Sequence, residues 1–174
     1  MSLQPAQLLV RIGDREVCVK IIGRANFLSG PDFQMLANEL HARGFRRFLI
    51  DAGECGLMDS TFLGVLCGLG LKLQRAGGGE ARGVELFNTN ARLTELVESL
   101  GADELLRITA GPVPLAGASE TATTETTSRT REEIARTSLE AHRTLMSLSP
   151  ENAARFKDVA QFLAEDLKRL KSRD

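Results

Sequence analysis

Few residues of this 174-residue chain combine a chemistry-bearing type with a spacing that could use it. A nucleophile needs a base beside it, and the two histidines, His41 and His142, lie in segments of helical spacing, away from any nucleophile-like turn. Each reads as a helix-surface or packing histidine. Cys18, Cys55 and Cys67 are odd in number and widely spaced, with no C-x-x-C and no histidine at ligand spacing. They read as reduced structural thiols, not as a metal site. Gly64, Gly68 and Gly70 suggest a phosphate loop, but no G-K-[ST] follows and they fall inside a helix. Gly77 to Gly79 follow that helix, where glycine ordinarily ends it. None of these features calls for a metal or a cofactor.

Ser60 remains, in the stretch "LIDAGECGLMDSTFLG" at 49–64. An Asp-Ser-Thr run between a strand-like segment and an apolar helix is first a helix N-terminus, with one side-chain oxygen accepting a backbone N–H. The same position has a second property. Unpaired N–H groups and the positive dipole end tolerate a phosphate there, and a hydroxyl at the start of a surface helix is accessible to an enzyme. Cap and switch are both open readings.

The elements that must position Ser60 follow from the periodicity. Apolar runs at 8–13 and 16–23, joined across Asp14 and Arg15, suggest an opening hairpin. A helix follows, with Pro31 at its first position, Phe33, Leu36, Ala37 and Leu40 on one face, and Gly44 as its stop. The segment 46–52 reads as a buried strand, and Asp59 or Ser60 opens a helix to about Ala76. Gly64 and Gly68, one turn apart, are expected to lay a small-residue face of that helix against the sheet. A strand at 82–88, a helix capped by Thr89 or Asn90 and a short strand at 104–109 complete the pattern. Strands alternating with helices after a hairpin predict an α/β domain over 1–109, its mostly parallel sheet flanked by helices and bearing one antiparallel edge.

At 110–128 the composition turns to Thr, Ala, Gly and Pro, which reads as a Thr-rich linker or loosely ordered connection. Beyond it, 129–174 reads as an amphipathic helical extension. Ile134, Ser138, Ala141, Leu145 and Leu148 recur at steps of four and three, as do Phe156, Ala160, Leu163, Leu167 and Leu170 in a second helix begun by Ser149 and Pro150. Each helix is too short for a lone coiled coil, so the pair needs a partner surface. That surface is the chain's own domain or a second copy, which would make a homodimer through the C-terminal helices.

Composition narrows the function. Lys plus Arg number 22 against 23 Asp plus Glu, a net charge of −1, so no global field recruits nucleic acid or anionic lipid. The basic cluster Arg43, Arg46 and Arg47 lacks aromatic companions and reads as a solvated edge. The longest apolar run, Phe62 to Leu71, is about half a membrane span. No membrane insertion is expected, and the chain is read as cytoplasmic.

The order of elements and the segment "FLIDAGECGLMDSTFLGVLCGL" resemble the STAS domain of bacterial anti-sigma-factor antagonists over roughly residues 8 to 109. In that family an apolar strand ending in Asp leads through a loop to a D-S-S/T-G-L-G-like helix start. Asp51 matches the strand-end acid, Asp59 the acid before the switch, Ser60 the phosphorylated serine, and Leu63 and Gly64 the following Leu-Gly. Phe62 stands where the family has glycine, and Asn26, in "GRANF", where it commonly has an acid. The resemblance implies a STAS-like fold without catalysis of its own. It also implies a partner surface of Asn26, Asp59, Ser60, Thr61 and Phe62, a serine kinase acting as an anti-sigma factor, and a serine phosphatase that resets Ser60. The alternative within binding proteins is a STAS scaffold or a subunit of a larger signalling or transport complex, with Ser60 never modified.

Overall fold

The computed structural model describes residues 4–76, 83–115, 120–124 and 128–173, the segment 120–124 as backbone. Strands β1 (Gln7–Ile12) and β2 (Glu16–Ala25) form the opening antiparallel hairpin, with Val10 opposite Val19. Helix α1 (Gly30–Ala42) carries Pro31 in its first turn and leads to β3 (Arg47–Met58). Then come α2 (Ser60–Arg75), β4 (Gly83–Phe87), α3 (Ala91–Ser99) and β5 (Leu106–Thr109). Asn90 caps α3, accepting the Leu93 N–H at 2.8 Å.

The strands β2, β3, β4 and β5 are adjacent in that order and parallel throughout. Right-handed crossovers between parallel neighbours laid down in sequence order place α1, α2 and α3 on one face of the sheet. Alternation along the strands shows the consequence. Val17, Val19, Phe48, Ile50, Val84 and Leu86 face the helices in the main core, while their chain neighbours Cys18, Leu49 and Phe87 face the opposite side. Val113 and Leu115 pack on that second face.

Two expectations change here. The stretch 110–128 is not linker throughout, because a sixth strand, β6 (Glu120–Thr124), pairs antiparallel with β1. Threonine-rich segments have high strand propensity, and β1 had an open edge to receive one. The sheet order is therefore β5-β4-β3-β2-β1-β6, and the antiparallel strand β1 is no longer an edge. The predicted strand at 46–52 also runs on to Met58, because β2 continues alongside it to Ala25 through two irregularities in register.

The two tail helices form a third layer. Helix α4 (Arg131–Met146) starts with a capping box between Thr130 and Glu133, and α5 (Pro150–Lys171) starts at Ser149, whose side chain accepts the Asn152 N–H. They fold back on each other, and α4 lies across α2 and α1. Ala141, Leu145 and Phe156 join the main core, so the extension is continuous with the domain beneath it. Arg129 anchors its entry by an ion pair of 2.9 Å with Asp32, both nearly buried.

The seam between α2 and α4 corrects the expectation for the glycine face. A Cβ placed on Gly64 would lie 2.7 Å from Ala141 Cβ and closer still to the Ala141 carbonyl oxygen. Gly64 therefore lets two helix backbones meet, and the neighbour is α4, not the sheet. Among the described residues, Gly68 has nothing within 4 Å of its Cβ position, and it borders a groove of about 200 Å³ between α1, α2 and α4. Gly70, packed on Leu105, is the glycine that faces the sheet side of the helix.

Candidate functional site

Asp59 resolves which residue opens α2. It takes the extended N-cap conformation, and its Oδ1 accepts the Phe62 N–H at 2.9 Å. Its Oδ2 accepts the Phe27 N–H at 2.7 Å, and its own N–H donates to the Ala25 carbonyl. One carboxylate thus ties the end of β2 to the start of α2. Burial pushes the Asp59 carboxyl up from its ordinary range, against the opposing pull of the Phe62 and Phe27 N–H groups.

With the cap supplied by Asp59, the Ser60 hydroxyl is released from backbone duty. Ser60 is half-buried, and its Oγ lies 2.9 Å from Nε2 of His142, 82 residues away in sequence. The other ring nitrogen, Nδ1, lies 2.7 Å from the Ser138 carbonyl oxygen, which can only accept. Nδ1 therefore carries the proton, and in the neutral ring the Ser60 O–H donates to Nε2. The imidazole is 5% exposed and meets the Phe156 ring edge-on, with centroids 5.3 Å apart.

The sequence set both histidines away from any nucleophile-like turn; His142 is a packing histidine, as expected, but the fold also lays it on Ser60. His142 was missed because the contact is tertiary. Its only sequence trace is its position beside Ala141 and four residues after Ser138, on the apolar face of α4. His41 is the histidine without such a role. Its Nε2 is buried and without a hydrogen-bond partner among the described residues, and burial lowers the ring's affinity for a proton.

The predicted partner surface divides. Asp59 and Ser60 are half-buried. Phe62 is fully buried against Phe33, ring centroids 5.2 Å apart, because the third residue of α2 falls on the inward face with Leu66, Leu69 and Leu73. Thr61 is 5% exposed and packs towards Gly30. Asn26 is also buried, its Oδ1 accepting the Leu28 N–H and its Nδ2 donating to the Gln4 carbonyl. Phe62 therefore belongs to the core under the site and Asn26 to the loop beside it, while Thr61 reaches the surface only where it borders a cleft. Asp51 likewise works locally, accepting from the Gly53 N–H and from Asn88 Nδ2.

Beside the Ser60–His142 pair lies a cleft of about 380 Å³, bordered by Phe27, Thr61, Ile134, His142, Val159 and Leu163. A hydroxyl held on an imidazole nitrogen is the first half of a nucleophile-and-base arrangement. The N–H of Phe62, a natural donor to an oxyanion at this helix end, is already given to Asp59. The cysteines offer no competing nucleophile. Cys18 and Cys67 are pushed up to about 11 and about 12 by burial, and Cys55 also upward, so the thiols stay protonated near neutral pH.

No family model matches the chain, and no curated protein matches it. Solved structures do. The NMR structure of the protein TM1081 aligns at a TM-score of 0.51 and 18% identity, covering 58% of this chain and 78% of that one. The fold is STAS-like. The anti-sigma factor antagonist SpoIIAA in its unphosphorylated form aligns at 0.46 and 13% identity, over 52% of this chain and 81% of its own. The Bacillus cell fate determinant SpoIIAA in its phosphorylated form aligns at 0.49 and 13%, over 59% and 90%. At such identities the likeness is one of fold. The matched portions amount to little more than half of the present chain. Among the described residues, no helix is long and apolar enough to cross a membrane.

Proposed function

We propose that this chain is a regulatory protein-binding module that acts in the manner of an anti-sigma-factor antagonist. It binds a serine kinase that doubles as an anti-sigma factor, is phosphorylated on Ser60, and is reset by a serine phosphatase. It has no catalysis of its own, no cofactor, and no nucleic-acid partner. The observation that carries this reading is the division of labour at the start of α2. Asp59 caps the helix, leaving the next residue, Ser60, half-buried, with a hydroxyl that among the described residues meets the His142 ring and not a backbone group. The STAS-like fold and the Asp59-Ser60-Thr61 run support it.

The physics of such a switch is direct. A phosphate adds about −1.5 to −2 charges at neutral pH. The helix end offsets part of that charge, by roughly 0.3–1 kcal/mol at an exposed site, whereas an apolar or acidic partner surface offers no offset. Modification then weakens the complex more than the fold. The test is capture of partners by wild-type, Ser60→Ala and Ser60→Asp chains from the source cells, with mass spectrometry of the peptide holding Ser60 and Thr61. A kinase retained by wild type and Ser60→Ala but lost by Ser60→Asp, together with phosphate on Ser60, is the expected result. Phosphate confined to Thr61, or equal capture by all three, defeats the reading.

One observation favours a second reading, a STAS scaffold in which Ser60 is never modified. The 2.9 Å contact with His142 gives the hydroxyl a purely structural use. In that case Ser60→Ala alters stability alone, and all three chains retain the same partners. The face open to self-association through the tail is on α5, where Val159 and Phe162 are exposed.

A further inference from the structure

We propose that the α4–α5 hairpin is a lid over Ser60, closed in the unmodified protein and unable to stay closed once Ser60 carries a phosphate. The inference rests on the reading of Ser60 as a phosphorylation site and adds how that site is regulated. Ser60 and Gly64 are four residues apart and share one face of α2. Opposite them stand the adjacent residues His142 and Ala141 of α4. At Gly64 the seam does not admit even a methyl group, which would lie 2.7 Å from Ala141 Cβ. One turn away, the gap between Ser60 Oγ and His142 Nε2 is a single hydrogen bond of 2.9 Å.

A phosphorus with three further oxygens does not fit between Ser60 Oγ and His142 Nε2 at their 2.9 Å separation, so the hydrogen bond that joins the hairpin to the start of α2 is lost. His142 is held by the Ser138 carbonyl at 2.7 Å and by the edge of Phe156 on α5. The neighbouring Asp59 carboxylate is fixed by two N–H bonds and cannot turn away from the added charge. Phosphorylation and docking of the hairpin therefore oppose each other. By linkage the opposition is reciprocal at equilibrium: whatever steadies the lid disfavours the modified form, and modification disfavours the closed lid.

The covalent step is phosphoryl transfer from a nucleoside triphosphate. Ser60 Oγ bonds to the γ-phosphorus, the bond from that phosphorus to the β,γ-bridging oxygen breaks, and the nucleoside diphosphate leaves. The hydroxyl proton passes to a base of the kinase. In the closed form that proton points at His142, so the kinase acts on the open fraction of the protein, and its rate scales with that fraction. An open lid also uncovers Ala141, Leu145 and Phe156, all now buried in the core, as a surface the closed protein lacks.

The test needs no kinase. Phosphoserine is placed at position 60 of the full chain by codon suppression, and amide exchange is followed by mass spectrometry. Exchange in α4 and α5 should quicken by roughly tenfold or more, with β2 to β5 and α3 unchanged. Equal protection of α4 and α5 overturns the lid, and so does a uniform loss that includes the sheet. In unmodified protein, Gly64→Ala should open the same seam by sterics alone, while Gly68→Ala, facing open space, should not. Protection of α4 that is the same in both glycine variants also overturns it. Because phosphate is installed directly, the two ideas fail separately. A lid that opens in chains whose Ser60 is never phosphorylated in cells, even with Gly64→Ala, removes the kinase reading and leaves the lid standing.

Discussion

Helices α4 and α5 carry the same four-and-three apolar repeat, yet α4 buries seven of its 16 residues and the 22-residue α5 buries three. The difference comes from what lies on either side. Helix α4 is a middle element, with α2 and α1 beneath it and α5 alongside, whereas α5 leans mainly on α4. Along α5, Leu163, Leu167 and Leu170 are half-buried and Phe162 is 60% exposed. A repeat reports that a helix has an apolar face, and neighbours decide how much of that face is covered.

The sharpest way to break this comparison is to truncate equivalent leucines. Leu145 of α4 is fully buried, so Leu145→Ala should cost about 2–5 kcal/mol, read from the denaturant midpoint at constant slope. Leu163→Ala on α5, half-buried, should cost only about 1 kcal/mol. Equal losses would show that α5 is as deeply seated as α4.

The second contrast lies within α2. Gly64→Ala drives a methyl into Ala141 and should destabilise by roughly 1–3 kcal/mol, despite alanine's better helix propensity. Gly68→Ala meets nothing within 4 Å among the described residues and should stabilise by up to about 1 kcal/mol. Opposite signs from two glycines one turn apart would locate the α2–α4 seam without any structural method, using thermal unfolding alone.

Where α5 is anchored, one polar residue matters. Asn152 is 1% exposed, and its Nδ2 donates to the Leu100 carbonyl at 2.8 Å and to the Leu145 carbonyl at 2.9 Å. Asn152→Ala strands two buried acceptors and should cost about 1–3 kcal/mol. Amide exchange should show the loss concentrated at the α4–α5 turn and the end of α3.

The alternation of strands and helices to Thr109, and the start of α2 near Ser60, were legible in the sequence because period and capping are local. Asp59 could be named as a cap for the same reason. β6 was not legible, since its threonines suit a strand or a linker equally and only the free edge of β1 selects between them. Phe62 and Thr61 were assigned to a contact surface by motif alignment, although the helical period shared with Leu66 and Leu73 places Phe62 inward. The Ser60–His142 contact was invisible for a different reason. It depends on how a helix 82 residues later is laid across α2, which no local pattern encodes.

The smallest expected effect is at the outer face of α5. Phe162 is 60% exposed and Val159 43% exposed, three residues apart on the same side of the helix. In a monomer, Phe162→Ser removes apolar surface that is mostly in water already, so stability should change by no more than about 0.5 kcal/mol. If two copies pair through this face, the same substitution removes an aromatic anchor from the centre of the contact. Light scattering over a range of concentrations separates the cases. Identical masses for wild type and Phe162→Ser, with an unchanged melting temperature, make α5 the solvent-facing layer of a monomer. A wild-type mass that rises with concentration, and a mutant mass that does not, turns the same exposed pair into an interface and erases the contrast with α4.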